Sequence, residues 1–506
     1  MQLNISCSEE LTDELARFSG RYTVQPDSLS NFDVHLENHQ IEALQWINLC
    51  ENMEPFGGIL ADDKGLGSTC TIICWLLLKK LENRHSTHSN YAGETLIVCP
   101  KAILTQWVDE IRAVAGDQLR VYEYIGKNRD INNISNADIV ITTYRVVTYD
   151  AKKETNPLNL KWRRLILDEA QAIRNTNAEC SKAICALNSH FRWAVTGDPI
   201  QNNEKDFMAL LGFLCRGQLR KDKRLCLRRT MSDVHSTEQI QKFPTLNEFS
   251  IEVELNVQER ILYDKVRNKL DRQVQRRSMI HLVRVQRLQQ LCSHPYLIRS
   301  MGIIKREQYE GEGYFDYSNT SDDNVLSLRN PIFDRASPST KILKASEIID
   351  RCILQNKEKI IVVSHWKELL EILKEYLNTG SRELRIMTLT SSNTQDTIKN
   401  FNESDEPCVL LLTLGLAKSG LNLYGANSLL VMDSHWNPHL KPQSAIYRMD
   451  QRNRNVSVYQ LVCKDTVDGT IQQVQQNKLN LAFQVLRASA ISTIRRVIKY
   501  FQSLWL

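Results

Sequence analysis

Gly57-Gly58-Ile59-Leu60-Ala61-Asp62-Asp63-Lys64-Gly65-Leu66-Gly67-Ser68-Thr69 runs into an apolar stretch from Ile72 to Leu81. A glycine loop that opens a helix aims backbone N–H groups, and the positive end of the helix dipole, at an anion. Phosphate is the natural occupant, and Thr69 stands where a hydroxyl would ligate magnesium. Alone the string is a weak match, because Ser68 sits where the phosphate-contacting lysine of GxxxxGK[ST] belongs. A glycine turn that merely caps a helix fits the same residues.

Downstream, Arg164-Leu165-Ile166-Leu167-Asp168-Glu169-Ala170-Gln171 reads as an apolar strand ending in two adjacent carboxylates. Magnesium-dependent nucleotide hydrolysis needs that pair, one carboxylate for the metal and one to position or deprotonate water. Asp168 takes the first role and Glu169 the second. Two acidic residues at a strand end can also be plain surface, and the glycine loop upstream argues against that.

Around these stretches the chain repeats one rhythm, short apolar runs followed by helical periodicity. Thr95–Cys99, Ile139–Thr142, Leu165–Leu167 and Ala194–Thr196 carry it, which predicts a parallel α/β sheet. It stops near Cys215. From Arg216 to about Ser300 the text is charged and helical, with Glu259 to Leu288 reading as one long helix or a pair. Residues 301–338 are rich in Gly, Ser, Asn and Asp and read as a linker. A second rhythm follows at Ile360–Val363, Arg385–Thr388, Val409–Leu412, Leu429–Met432 and Val456–Leu461. The expected organisation is an extension (1–32), a first α/β lobe (33–215), a helical inter-lobe region (216–300), the linker (301–338), a second α/β lobe (339–485) and a tail (486–506).

Composition bounds the answer without choosing it. The 506 residues exceed one core and fit two or three domains of roughly 150–250 residues. A hydrophobic content of 42% and charged content of 24% are ordinary globular values. The net charge of +5, from 64 basic and 59 acidic residues, neither demands nor excludes nucleic acid. Basic runs at Arg216–Arg229 and Arg267–Arg287 read more readily as solvated helix faces than as binding sites, unless motifs nearby say otherwise. The thirteen cysteines are scattered with no zinc spacing, and their odd number without a secretory signal fits a reducing compartment. No apolar run reaches about eighteen residues, so no membrane span is expected.

In order and wording the blocks resemble the Swi/Snf-type branch of the superfamily-two helicase-like ATPases over roughly residues 33 to 485. Leu36 to Trp46 resembles the family's adenine-reading segment, with Gln40 at the base-reading glutamine. Ala61 to Thr69 resembles ADEMGLGKT, which implies ATP contacts from Asp62, Gly65, Leu66, Gly67, Ser68 and Thr69. Leu96 to Pro100 with Gln106-Trp107, and Asp138 to Tyr144, resemble blocks that track a DNA strand. They imply DNA contacts from Pro100, Gln106, Trp107, Thr142, Thr143 and Tyr144. Thr196 to Asn202 resembles TGTPIQN, which couples ATP state to lobe movement through Thr196, Gly197 and Gln201. Leu227-Arg228-Arg229-Thr230, Gln258 to Asp264 and Leu291 to Pro295 resemble inter-lobe helices of this branch. Thr413 to Leu423 and Asp433 to Pro438 resemble later blocks. The wording around Asp168–Asn175 and Ile446–Gln451 is nearest the fungal repair-type subgroup. The resemblance implies two RecA-like lobes with parallel sheets joined by a helical insertion. It also implies ATP and Mg2+ as cofactors, duplex DNA or chromatin bound mainly through phosphates, and a nuclear location.

Departures from the family wording matter as much. Ser68 cannot supply the charge of the lysine it replaces, a loss worth about 2.7–4 kcal/mol by analogy with removing one oxyanion donor. Lys64 is a second cation on the same loop. Asp198 stands where the family has threonine, and Ala417-Lys418 where it has two glycines. Between Pro438 and Tyr447 the chain is a little short, so that of two paired arginines only Arg448 aligns as a catalytic finger, and Asp450 replaces a glycine. Three readings remain open: an active DNA-dependent ATPase and translocase in chromatin remodelling or DNA repair, a degenerate relative that binds ATP and DNA with impaired hydrolysis, and a decayed gene product. The tail from Leu481 alternates apolar and basic positions and ends Leu504-Trp505-Leu506, which fits a protein-partner segment or a truncated gene reading.

Overall fold

The computed structural model describes residues 36–82, 91–126, 129–216, 225–231, 233–234, 245–275, 281–301, 304, 318, 320–379, 384–390, 393–417, 421, 423–438, 442–447 and 455–488. The chain divides into two compact units, Met1–Phe243 with Lys478–Leu506 and Pro244–Asn477. Each is an α/β lobe around its own parallel sheet.

In the first unit the strands are β1 (Gly57–Leu60), β2 (Gly93–Cys99), β3 (Val121–Glu123), β4 (Ile139–Thr143), β5 (Trp162–Asp168), β6 (Ser189–Val195) and β7 (Cys226–Leu227). They form one seven-stranded sheet in the order β3-β4-β2-β5-β6-β1-β7, with every pairing parallel. Helices α1 (Asn38–Glu51), α2 (Ser68–Glu82) and α3 (Lys101–Ala115) share one core with Ile97, Ile141, Ile166 and Trp193. Helices α4 (Tyr144–Asp150), α5 (Glu179–Cys185) and α6 (Glu204–Leu214) share the other with Leu96, Val98, Leu165 and Leu167. Successive residues of β2 and β5 thus feed opposite faces, both buried, which is why Leu96–Cys99 and Leu165–Leu167 are continuously apolar. Gly58 lets α1 lie flat on β1, since a Cβ there would stand 2.7 Å from the Trp46 ring. Beneath this contact Arg164 forks onto Glu51 with two bonds of 2.7 Å, both side chains buried.

In the second unit the strands are β8 (Leu246–Val253), β9 (Ile360–Ser364), β10 (Ile386–Thr388), β11 (Val409–Thr413), β12 (Ser428–Val431) and β13 (Val456–Cys463). Their order is β10-β11-β9-β12-β13-β8, again all parallel. Its longer described helices are α7 (Val257–Gln275), α8 (His281–Ser293), α9 (Thr340–Asp350), α10 (Lys367–Asn378), α11 (Thr394–Glu403) and the first part of α12 (Val467–Ala488), whose residues from Lys478 on belong to the first unit. Helices α7 and α8 resolve the choice left at Glu259–Leu288 in favour of a pair.

Three expectations need correction. The stretch 216–300 is not helical throughout: β8 lies at the sheet edge beside β13, where its polar residues face outward and Phe249 stacks on Tyr459 at 5.4 Å. The later half of the expected linker is core, because Val325, Leu326 and Phe333 are buried in the same cluster as α7 and α8. Ser321 and Asn330 cap its short turns. Finally, Leu227-Arg228-Arg229-Thr230 is no inter-lobe helix, since Leu227 is on β7, paired with Leu60 in the first sheet.

Candidate nucleotide site

Strands β5, β6 and β1 are neighbours, so the loops leaving their carboxyl ends meet: Asp168-Glu169, Thr196 to Asp198, and Ala61 to Gly67. Ligands of open α/β sheets bind at such ends. The loop after β1 reverses through Gly65 at φ 98° and Gly67 at φ 79°, left-handed angles that favour glycine. It delivers the chain into α2 at Ser68, and Thr71 fastens the turn by donating its N–H and its hydroxyl to the Gly67 carbonyl at 3.0 and 3.1 Å. Ser68 and Thr69 are half-buried on the first turn. A helix start so placed presents free N–H groups, which suit an anion.

Two neighbours hold this loop rigid. From α1, His39 Nε2 donates to the Leu66 carbonyl at 3.0 Å and Gln40 Nε2 to that of Gly67 at 3.4 Å. Gln40 also accepts from the Glu37 N–H at 3.0 Å and is buried, so the glutamine expected to read a base is engaged in the loop and in a helix cap. From beyond β7, Arg229 grips Asp62 through Nε at 3.1 Å and Nη2 at 2.5 Å, and also bonds the His39 carbonyl. Arg228 ties the Ala61 and Gly197 carbonyls together at 3.0 and 2.9 Å. Asp62, expected at the nucleotide, is therefore a buried strut. The sequence around Asp62 gives no sign of this, because its partner Arg229 lies far along the chain.

The carboxylates are prepared separately. Asp168 Oδ2 accepts the Trp107 indole N–H at 2.7 Å, Oδ1 accepts the Glu169 N–H at 2.8 Å, and the Tyr144 hydroxyl donates to its carbonyl at 2.8 Å. Burial and then the Glu169 charge push the Asp168 carboxyl up to about 6. Glu169 is left-handed, φ 50° and ψ 49°, an uncommon conformation for a residue with a side chain. Its Oε1 meets Lys64 Nζ at 2.6 Å, and its Oε2 receives the Gln171 amide. The Gln171 Oε1 in turn accepts from the Thr196 hydroxyl at 2.6 Å, whose oxygen accepts the Asp198 N–H at 3.0 Å. Burial presses the Lys64 ammonium down, but Glu169, Asp198 and Asp168 outweigh it and leave its affinity for the proton raised. Gln201 is buried, with its amide oxygen held by Arg174 at 2.9 Å.

Hard oxygen donors at Thr69 and Asp168 suit magnesium. Each Asp168 oxygen takes one hydrogen bond, leaving lone pairs for a cation. Elsewhere, Cys292, Cys463 and Asp468 offer ligand atoms within 4.8 Å of one another, but Lys341 already meets Asp468 at 3.0 Å in the same buried pocket. No disulfide joins the described cysteines.

The residues expected along DNA divide sharply. Trp107 is buried on Asp168, Thr142 donates to the Tyr124 carbonyl at 2.7 Å, Thr143 caps α4, and Tyr144 faces Asp168. These four side chains are engaged within the lobe: the indole on the Asp168 carboxylate, the Thr142 and Tyr144 hydroxyls on backbone carbonyls, and the Thr143 hydroxyl on the first turn of α4. Pro100, at the start of α3, and Gln106, bonded to Glu110, remain half-buried. Arg448, Lys418, Asp450, residues 1–35 and the tail beyond Ala488 lie outside the described residues. Residues 171, 174, 228, 229 and 39 carry contacts that no local pattern announced; only Gln171, two places past the carboxylates, had a positional cue.

Residues 39–223 match the SNF2-related domain family and residues 341–455 the helicase conserved C-terminal domain. The chain belongs to the Swi/Snf-type helicase-like ATPases. This Swi/Snf-type core is 31% identical to transcription termination factor 2 of Drosophila melanogaster, over 91% of this chain and 58% of that protein. It is 26% identical to a probable global transactivator of Orgyia pseudotsugata multicapsid polyhedrosis virus, over 90% and 93%. Against the DNA repair protein RAD5B of Arabidopsis thaliana it is 28% identical, over 87% and 46%. The chain thus spans about half the length of two of these relatives. A solved Sulfolobus solfataricus SWI2/SNF2 ATPase core in complex with dsDNA matches with 22% identity and a TM-score of 0.38, over 92% of this chain and 96% of that one. No described helix is long and apolar enough to cross a membrane.

Proposed function

We propose that this chain is an ATP- and DNA-binding Swi/Snf-type motor protein of chromatin remodelling or DNA repair, acting in the nucleus, with hydrolysis slowed by Ser68. The observation that supports it is the meeting of the Gly65–Thr69 loop, Asp168-Glu169 and Thr196 at the ends of three adjacent strands. The loop amides and α2 would take the phosphates, and Thr69 and Asp168 would hold Mg2+, whose charge offsets theirs. Glu169 would orient water, and Gln171 would report its position to Thr196 and Gly197 on the coupling loop. Duplex DNA would be bound chiefly through phosphates, with steep salt dependence and little sequence preference.

ATP turnover of the full chain, with and without duplex DNA, tests this reading. We expect slow turnover that DNA raises and Asp168→Ala abolishes, and about 10²–10³-fold faster turnover in Ser68→Lys. Absence of ATP·Mg binding in both the native chain and Ser68→Lys would refute it.

A further inference from the structure

Ser68 leaves the phosphate loop without its usual cation, yet an ammonium is present in the same cradle. Lys64 leaves the loop four residues earlier, and its Nζ lies 2.6 Å from Glu169. Its stem runs against the coupling loop so closely that a Cβ on Gly197 would stand 3.0 Å from Lys64 Cγ. Asp198, on that loop, and Asp168 also act on the ammonium. The group is thus aimed across the mouth of the loop at the residues that flank the terminal phosphate in the proposed site, and it is only partly exposed, at 24%.

We propose that Lys64 is the relocated phosphate cation: on nucleotide entry its ammonium exchanges the Glu169 carboxylate for the terminal phosphate of a nucleoside triphosphate. The exchange leaves one Glu169 oxygen open toward the position of the attacking water, so a single movement both neutralises the phosphate and releases the residue that orients water. Until that exchange, the Lys64–Glu169 pair holds the site closed to hydrolysis. This rests on the nucleotide site proposed above and names which residue grips the terminal phosphate there. A fixed loop of glycines lends itself to such a swap, since His39, Gln40 and Arg228 hold its backbone while the lysine side chain stays free of those bonds.

The test is equilibrium binding of fluorescent ATP, ADP and AMP, each with Mg2+, to the full chain and to Lys64→Met, Lys64→Gln and the double variant Lys64→Met/Ser68→Lys. Folding is checked by melting, and Lys64→Gln, which keeps a hydrogen bond to Glu169, serves if Lys64→Met is unstable. A charge-assisted contact to one phosphate predicts about tenfold weaker ATP binding in Lys64→Met and Lys64→Gln, little change for ADP and AMP, and recovery in the double variant. ATP binding within about twofold of the native chain in both single variants overturns the proposal. So does equal loss for ATP, ADP and AMP, which marks a merely structural lysine. If neither the native chain nor the double variant binds any of the three, the nucleotide site itself is refuted and the assignment of Lys64 falls with it.

Discussion

Replacing Trp107 by phenylalanine separates two roles that the family resemblance and the structure give the same residue. The indole N–H donates to Asp168 Oδ2 at 2.7 Å, and the ring is buried, with 2% of its surface exposed. Phenylalanine keeps most of the ring and removes only that donor. A hydrogen bond to a charged partner contributes about 1.5–3 kcal/mol. Asp168 retains the Glu169 N–H on its other oxygen, so the lower end applies, roughly a tenfold loss in Mg2+-dependent ATP binding. The smaller ring leaves a modest void, and an added 1–2 kcal/mol of destabilisation, roughly, should lower the melting temperature by a few degrees. The assays are Mg2+ titration of ATP binding and fluorescence anisotropy with a DNA duplex at fixed salt. DNA affinity should stay unchanged while the Mg2+ midpoint rises. A fall in DNA affinity with an unchanged Mg2+ midpoint would show that the indole reaches DNA and that its bond to Asp168 does not matter.

Arg229→Ala should cost about 3 kcal/mol in urea unfolding, because Asp62 is left buried without its guanidinium, and an unchanged midpoint would contradict the strut. Lys341→Met should cost about 3–5 kcal/mol by stranding Asp468, whereas Lys341→Met/Asp468→Leu should regain most of it, both read from urea midpoints. Burial pushes His294 down to about 4, so the unfolded chain takes up a proton below its ordinary value of 6.5 that the folded chain refuses. That contribution is intact above pH 6.5 and is lost as pH falls toward 4, about 2 kcal/mol at pH 5, and a His294→Gln variant should lack this part of the slope in urea unfolding.

Both sheets could be read from apolar runs, because a parallel strand buried on two faces carries no polar alternation to blur it. β8 could not, since an edge strand such as Leu246–Val253 keeps its charges and resembles the helical text beside it. The packing of residues 325, 326 and 333 was hidden for a related reason: three apolar side chains spread among turn residues show no period, yet suffice to bury a segment. At the site, the loop and the carboxylates were legible because phosphate and magnesium chemistry restrict residue types at short spacing. The grips of Arg229 on Asp62 and of Trp107 on Asp168 join residues far apart in sequence, and only the sheet order brings them together. The contacts of Thr142 and Tyr144 follow from the same fact, whereas Thr143 caps its own helix three residues on.

The departures from the family wording are not independent lesions. Ser68 removes a positive charge from the loop and Lys64 restores one a few residues earlier, while Asp198 adds a negative charge that acts on that same lysine. A partly desolvated ammonium without a counter-charge would be costly, and Glu169, Asp198 and Asp168 offset that cost. Asp62 and Asp63 meet Arg229 and Arg228 on the other side of the loop. The loop's own side-chain charges are therefore matched in pairs before any nucleotide arrives, and a phosphate that is to meet the loop's ammonium must break one of them. The pair whose cation leaves the glycine loop itself is Lys64–Glu169, and it occupies the carboxylate proposed to orient water. Under the proposed exchange, loss of the usual lysine would change more than the strength of phosphate binding: it would make release of Glu169 depend on the arrival of the substrate.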